Sequence, residues 1–406
     1  MLNYLTFVRT EKQLLSFALL FAFFSSVGQT FFISLFVPDF LTAFDLSNAA
    51  FGTLYSLATL TGAFMLPWIG QWIDRIPLER YALMVSLGLL AAALLMIFSW
   101  HIYMLFAALI LVRLTGQGLC SHTAQASMAR YYNHQQRGKA LSVSALGYPL
   151  GEAIFPIVIT SLLAWMHWRT IWSLIALLLF LVFIPLSQLL IRRNERILIA
   201  KSEKPVKVPV RKNYVEILTD RRTWFLLLAV LIPPFWVTGL FLYQIAAAES
   251  LGWSVGVIAS AFTAFALARI VSGLIAGPLT DRFSAQSIFP FYLLPMLAGL
   301  LIGYYFPQNW AAFLYLGLIG VTMGLGSTVK SALWAELFGT KIIGTVQSLF
   351  STIMVFSTAA SPFLVGWMLD AGYGMKTVLL TALITTVLSI LLSARIHPVF
   401  NRAASI

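Results

Sequence analysis

Four charged residues lie deep inside long apolar stretches of this chain, namely Arg113, Glu152, Arg269 and Lys330. A charge at the centre of a membrane helix costs about 2.5–3.5 kcal/mol when it faces lipid, so each side chain should face a partner or a cavity. Arg113 and Glu152 fall near the middle of two successive apolar stretches, and a mutual ion pair would satisfy both charges. Because proton binding by Glu152 would weaken that pair, the sequence predicts either a proton-exchanging site or a purely structural ion pair.

The other two charges, Arg269 and Lys330, have no acidic residue in any apolar stretch of their half of the chain. Arg269 therefore needs a counter-ion from elsewhere, and its planar guanidinium suits a bidentate contact with a carboxylate. We expect Arg269 to bind an anionic ligand, with a structural hydrogen-bonding role as the alternative. Lys330 either joins that site or extends its ammonium group to the lipid headgroups.

The rest of a ligand pocket would be apolar, with a few polar and aromatic side chains. The candidates are Gln29, Tyr148, Trp236 and Tyr243, each of which would otherwise be an ordinary packing residue. The sequence contains no nucleophile triad, metal-ligand cluster or phosphate-binding glycine loop, and its single cysteine excludes a cysteine-based metal centre. We therefore expect no enzyme activity, no cofactor and no metal.

The composition indicates which environment holds these side chains. Of the 406 residues, 60% are hydrophobic and 10% are charged, and the mean hydropathy is +0.89, as is typical of a protein whose surface faces lipid. Apolar runs long enough to cross a bilayer as a helix, about 20 residues, recur along the chain. They predict an all-α membrane protein with twelve spans, at 14–37, 49–72, 81–100, 102–124, 140–164, 168–191, 223–246, 255–279, 287–306, 310–333, 343–368 and 376–396.

Basic residues indicate on which side of the membrane each loop lies. If the N-terminus is cytoplasmic, 21 of the 26 Lys and Arg residues fall in cytoplasmic segments, and only Arg169 and Lys376 fall outside. The net charge of +12 therefore reflects topology and does not indicate nucleic-acid binding. We expect a monomer that spans the inner membrane of a bacterium, with both termini in the cytoplasm.

The two halves of the chain repeat each other with a shift of about 206 residues. The repeat predicts two six-helix bundles, 1–191 and 223–406, joined by a polar cytoplasmic linker at 192–222. Parallel repeats of this kind place a substrate site near the membrane midplane, between the halves, where it is exposed alternately to each side. The shift aligns three pairs of glycine or proline residues: Gly118 with Gly324, Gly138 with Gly344, and Pro156 with Pro362.

The loop after span 2 and the loop after span 8 share a charged motif. The first reads Gly70-x-x-x-Asp74-Arg75-x-x-x-x-Arg80, and the second repeats the Asp-Arg pair as Asp281-Arg282. Together with the spans and the repeat, this motif resembles the major facilitator superfamily over nearly the whole chain, with Pro77 where a glycine is usual. The resemblance implies that these five charged residues form a cytoplasmic gate; the alternative is that they only set the topology.

Two of the buried charges extend the resemblance. Arg113 resembles the superfamily's arginine in span 4, which relatives use in proton coupling or substrate binding. Arg269 resembles the span 8 arginine with which monocarboxylate transporters and oxalate/formate antiporters bind a carboxylate. The resemblance implies a secondary transporter of a small organic anion, a mono- or dicarboxylate, by proton-coupled alternating access. Proton-driven efflux of a drug or other lipophilic compound, and a sensor that keeps the fold without transport, stay open as alternatives.

Overall fold

The computed structural model describes residues 2–132, 134–191, 217, 219–338 and 343–395, and every regular element in those ranges is a helix. Eleven of these helices are long and apolar enough to cross a membrane, and one bent pair of helices brings the number to twelve. The predicted all-α fold is thereby confirmed. The spans are, in order, Lys12–Gly28 with Thr30–Phe44, Asn48–Asp74, Leu78–Ile97, Ile102–Tyr131, Gln136–Leu163, Trp168–Ile191, Arg221–Leu242, Val255–Phe283, Ala285–Tyr305, Asn309–Phe338, Leu349–Asp370 and Gly374–Ala394.

The spans differ from their predicted positions mainly at their ends. Spans 4 and 10 are each 30 residues long and end at Tyr131 and Phe338, beyond the predicted ends at 124 and 333. Such a helix measures about 45 Å, whereas a bilayer's hydrocarbon core is about 30 Å thick. Both helices therefore continue past the hydrocarbon core, where polar residues carry no penalty for facing outward.

Span 1 is bent by 47° between its two helices. A turn of 3-10 helix covers Ser25–Gly28, and Gln29 has an extended backbone with φ −79° and ψ 155°. The Ser25 hydroxyl donates to the carbonyl of Ala22 at 2.6 Å, a local bond that competes with the regular helical pattern. Because serine and glycine both favour such interruptions, the bend has a cause in the local sequence.

The two halves of span 1 are held separately against span 6. Phe24, before the bend, packs on Phe183 with ring centroids 4.5 Å apart. Phe36, after the bend, packs on Trp172 with centroids 5.3 Å apart. Since packing of large side chains supplies much of the stabilisation between helices in lipid, these two anchor points fix the angle of the bend.

By its internal packing the chain divides into two compact units. Unit 1 comprises Met1–Asp45 and Leu57–Lys207, and unit 2 comprises Leu46–Ser56 and Val208–Ile406. The first turns of span 2 thus pack with unit 2, while the remainder of the same helix packs with unit 1. The predicted boundaries of the two bundles, 1–191 and 223–406, stay a prediction, and most of the linker predicted at 192–222 lies outside the described residues.

Spans 8 and 10 of unit 2 cross at very close range. A Cβ atom at Gly320 would overlap the backbone of Phe265, and a Cβ atom at Gly324 would overlap the carbonyl oxygen of Arg269. Only glycine allows the two backbones to approach this closely. The crossing therefore fixes the backbone position of Arg269 relative to span 10.

Candidate functional site

In unit 1, the guanidinium group of Arg113, which is on span 4, forms hydrogen bonds with span 2 and with the bend of span 1. Its Nε donates to the Thr59 hydroxyl at 3.0 Å, and its Nη1 donates to the Gly28 carbonyl at 2.9 Å. In an unbroken helix that carbonyl would accept from the amide of Phe32, but here that amide bonds to the carbonyl of Gln29 at 3.1 Å. Arg113, only 5% exposed, thus satisfies a backbone group that the bend has released.

Arg113 also begins an unusual stretch of its own helix. Residues Arg113–Cys120 form a π-helix, a form that occurs mostly as short interruptions and often at functional sites. The irregular backbones of spans 1 and 4 meet directly, because a Cβ atom at Gly28 would overlap atoms of Val112 and Gln117. Two helices therefore lose their regular hydrogen bonding at the same place, and an arginine lies at that place.

The second charge of unit 1, Glu152, lies on span 5 beside the same bend. It is 8% exposed, and it follows Gly151, where a Cβ atom would overlap the Ser26 hydroxyl. Span 5 is thus pressed against the Ser25–Gly28 turn. Both members of the predicted Arg113–Glu152 pair therefore lie on helices that pack against the bend of span 1, and proton coupling through them stays a prediction.

Two further predicted ligands are near this cluster. Gln29 is half-buried at the bend itself. Tyr148 lies one helical turn before Glu152, and its hydroxyl accepts a hydrogen bond from Nε2 of Gln125 at 3.2 Å. Sequence reasoning missed Gln125, which lies one residue beyond the predicted end of span 4 at 124.

In unit 2, Arg269 and Lys330 lie on the two helices that cross closely. Arg269 is half-buried, and its backbone contacts Gly324; Lys330 follows six residues later on span 10. Cε of Lys330 lies 3.6 Å from the position that a Cβ atom would take at Gly326, so the side chain extends back toward the start of its helix. This direction leads away from the end of span 10 at Phe338. Within the part of the chain that the structure describes, Lys330 forms no ion pair.

The two aromatic candidates of unit 2 are buried and already hydrogen-bonded to protein. Nε1 of Trp236 donates to the hydroxyl of Thr385 at 2.8 Å. The hydroxyl of Tyr243 lies 2.7 Å from the carbonyl oxygen of Asn48 and 3.2 Å from that of Pro362. The hydrogen-bond donor of each side chain is thus already used within the protein, and the roles of both residues as substrate ligands stay predictions.

The charged loop after span 2 is held by a residue that sequence reasoning did not select. Arg130, at the end of span 4, donates to the carbonyl of Ile73 at 2.7 Å, and its Nη1 lies 3.9 Å from the Asp74 carboxylate. Arg75 donates to the side chain of Gln71 at 2.6 Å. A cation at the carboxyl end of a helix is favoured by the helix dipole, so Arg130 stabilises the end of span 2.

The corresponding position in the second repeat carries the opposite charge. Glu336, 206 residues after Arg130, accepts hydrogen bonds from the amides of Ala285 at 2.7 Å and Gln286 at 2.9 Å. These are the first amides of span 9, which have no partners within their own helix, and a carboxylate there also favours the dipole. The predicted gate residues of this half, Asp281 and Arg282, are exposed, and Arg282 lies over the ring of Phe283.

The twelve apolar spans, with charges held at helix interruptions and close crossings, are typical of a membrane transport protein. The model of the Major Facilitator Superfamily matches residues 18–246 and 234–403. The chain belongs to that superfamily, and it is a multi-pass membrane transporter and not an enzyme.

Two solved structures of similar fold are both described as a bacterial homolog to the human lysosomal transporter Spinster. The one called inward-facing and unoccupied has a TM-score of 0.69 and 15% sequence identity, over 97% of this chain and 98% of that one. The one called inward-facing and occupied has a TM-score of 0.63 and 16% identity, over 98% of this chain and 96% of that one. At such identities the likeness shows the fold alone. No curated protein gives a significant match.

Proposed function

We propose that this transporter carries a small organic anion, a mono- or dicarboxylate, together with a proton. The observation that carries the proposal is the charge of the unit 2 spans. Arg269 and Lys330 lie within the long apolar helices of spans 8 and 10, whose acidic residues, Asp281 and Glu336, are close to the helix ends. Lys330 forms no ion pair among the described residues. An anionic substrate would offset the cost of holding the Lys330 cation in the membrane, and the planar guanidinium of Arg269 has the geometry to bind a carboxylate.

Arg269 and Lys330 lie on two helices that cross closely, which supports a small carboxylate as the ligand. The backbone of Arg269 contacts Gly324, and Lys330 lies six residues further, which corresponds to about 9 Å along the helix axis. A monocarboxylate would bind the guanidinium of Arg269 through both oxygens. A dicarboxylate would in addition place its second charge toward Lys330. The resemblance of Arg269 to the carboxylate-binding arginine of monocarboxylate transporters and oxalate/formate antiporters supports the same substrate class.

The proton would bind to Glu152 in unit 1. Glu152 and Arg113 lie on helices that pack against the bend of span 1. When Glu152 is charged it attracts Arg113, and when it is protonated that attraction is lost, so protonation would alter what holds the bend. We assign Asp74, Arg75, Arg80, Asp281 and Arg282 to a cytoplasmic gate, in a monomer with both termini in the cytoplasm.

The substrate test is uptake of radiolabelled lactate, oxalate and succinate by proteoliposomes. Arg269→Gln should lower uptake of the transported acid about tenfold or more, and Arg269→Lys should recover part of it because the charge stays while the planar fork is lost. Lys376→Gln, at an exposed position, is the control for loss of one positive charge. The anion assignment is wrong if uptake survives Arg269→Gln, or if wild-type protein moves only neutral or cationic lipophilic compounds.

The proton test separates coupling from binding. Glu152→Gln should abolish the acceleration of uptake by an imposed pH gradient, while exchange of internal for external substrate continues. Glu249→Gln, at an exposed position in unit 2, should leave both rates unchanged. Gradient-driven uptake that persists in Glu152→Gln would show that the proton binds elsewhere.

A further inference from the structure

Two arginines from different helices of unit 2 approach the same aromatic ring. The guanidinium carbon of Arg221, in the first turn of span 7, lies 5.6 Å from the ring centroid of Phe225, and that of Arg395, directly after span 12, lies 5.4 Å from it. Spans 7 and 12 pack against each other, and the hydrogen bond from Trp236 to Thr385 joins them. Two positive charges are thus held beside one ring, and we call Arg221 and Arg395 the arginine pair.

The arginine pair forms no ion pair with a carboxylate among the residues that the structure describes. The acidic residue next to it in the sequence, Asp220, is already bonded to Arg222: its Oδ1 accepts from the backbone amide at 2.8 Å, and its Oδ2 accepts from Nη2 at 2.7 Å. The first of these bonds caps the start of span 7, so that helix end already has its own acceptor. Two cations beside one ring repel each other, and an anion that contacts both would remove the repulsion.

The surroundings of the arginine pair are those of a lipid-facing surface. Arg395 continues a row of exposed apolar residues on span 12, Ile384, Leu388 and Leu391, whose spacing of three and four residues places them on one face of the helix. On span 7, Trp224 is exposed in the first turn, as is typical of tryptophan at the level of the lipid headgroups. The row on span 12 is suited to acyl chains, and the basic residue at its end is suited to the phosphates of the same lipids.

We propose that the arginine pair binds the phosphate of an anionic phospholipid, whose acyl chains cover the exposed row on span 12. A guanidinium donates two parallel hydrogen bonds to phosphate oxygens, which the ammonium group of lysine cannot do. A soluble phosphate would leave the apolar row uncovered, and a zwitterionic lipid would bring a third cation to the pair. The proposal depends neither on the transported substrate nor on proton coupling.

The test is native mass spectrometry of the full chain in detergent, after incubation with equal amounts of phosphatidylglycerol and phosphatidylcholine. The wild-type protein should retain phosphatidylglycerol in preference. Arg221→Gln together with Arg395→Gln should lower the affinity for phosphatidylglycerol about tenfold or more and abolish the preference. Arg9→Gln together with Arg137→Gln is the matched control, because both residues are exposed arginines and the variant loses the same two charges.

A double lysine variant tests the geometry of the contact. Arg221→Lys together with Arg395→Lys keeps both charges and loses the planar donors, so it should lower the affinity for phosphatidylglycerol about threefold. This variant also decides the question if the double glutamine variant does not fold, because an unchanged affinity would contradict binding by paired guanidinium groups.

Four results would overturn the proposal: equal retention of the two lipids by the wild type, wild-type affinity in the double glutamine variant, an equal loss in the control variant, or displacement of the lipid by inorganic phosphate. The last result would indicate a site for soluble anions. Lipid retention is measured without transport, so its failure would leave the proposed function standing. Failure of carboxylate uptake would refute the substrate assignment and leave this measurement unaffected.

Discussion

Replacing Arg169 tests a stack of side chains at the start of span 6. Its guanidinium carbon lies 4.3 Å from the ring centroid of Trp100 and 4.1 Å from that of Trp168, so it is sandwiched between two indoles. Its Nη2 also donates to the carbonyl of Ser99 at 2.8 Å. The contacts with Trp100 and Ser99 tie the turn between spans 3 and 4 to the beginning of span 6, whereas Trp168 is the neighbouring residue on span 6 itself.

The magnitude follows from the contacts. Each cation–π contact contributes about 0.5–1 kcal/mol at a partly exposed site, and the charged hydrogen bond contributes about 1.5 kcal/mol. Arg169→Ala should therefore lower the free energy of unfolding by roughly 2.5–3.5 kcal/mol. Arg169→Lys keeps the charge but cannot stack as a plane between two rings, so it should cost about half as much.

The assay is thermal unfolding in detergent, followed by tryptophan fluorescence. For a unit of this size 1 kcal/mol corresponds to about 2–4 °C, so the midpoint should fall by roughly 5–14 °C in Arg169→Ala and by about half of that in Arg169→Lys. Arg395→Lys is the control, because Arg395 is exposed and lies 5.4 Å from a single ring, that of Phe225. An Arg169→Lys variant as stable as wild type would refute the stacking argument. The role of Arg169 would then be limited to a positive charge that helps to set the topology.

Three further substitutions test other contacts by thermal unfolding. Gly28→Ala should lower the free energy of unfolding by about 1–3 kcal/mol or more, because the added Cβ atom would overlap span 4. Gly138→Ala, where the added Cβ atom would have no other atom within 4 Å, should leave the free energy of unfolding unchanged or raise it. Equal effects of the two substitutions would contradict the close contact at the bend. Glu336→Gln should lower stability by about 1 kcal/mol through loss of the charged cap on span 9, and a neutral result would contradict that role. At Asp220, the hydrogen bonds from Arg222 hold the pKa of the carboxyl below its usual value, so the stabilisation is present above about pH 4 and is lost as the pH falls further. The difference in stability between wild type and Asp220→Asn should be constant from about pH 7 to about pH 5 and should shrink as the pH falls below about 4; a difference independent of pH down to about pH 2 would contradict the ion pair.

The span positions could be predicted from the sequence because one physical requirement dominates them. A helix in lipid must bury its backbone polar groups internally and present about 20 apolar residues, whatever its neighbours are. The twelve predicted spans therefore agree with the structure to within a few residues at most ends. The ends of spans 4 and 10 were less predictable. Where a helix continues beyond the membrane, its residues no longer need to be apolar, so the sequence does not indicate where the helix ends.

The site was only partly predictable, since its geometry depends on packing. Arg113 and Glu152 stood out as charges in apolar runs, but the π-helix that begins at Arg113 has no local sequence signal and arises where span 4 meets the bend of span 1. Trp236 was selected for its residue type, yet whether an indole faces a cavity or bonds to Thr385 is decided by the rotation of its helix against span 12. Glu336 escaped notice because its partners are backbone amides, which carry no signature in the sequence.

The pairing of Arg130 with a helix's carboxyl end, and of Glu336 with a helix's amino end, means that the two halves are no longer interchangeable parts. A tandem fusion of two first halves would place an arginine where span 9 requires an anion. The opposite charges at this position therefore contact opposite helix ends. The two halves of this transporter therefore repeat the course of the backbone, but the charged residues that stabilise their helix ends differ.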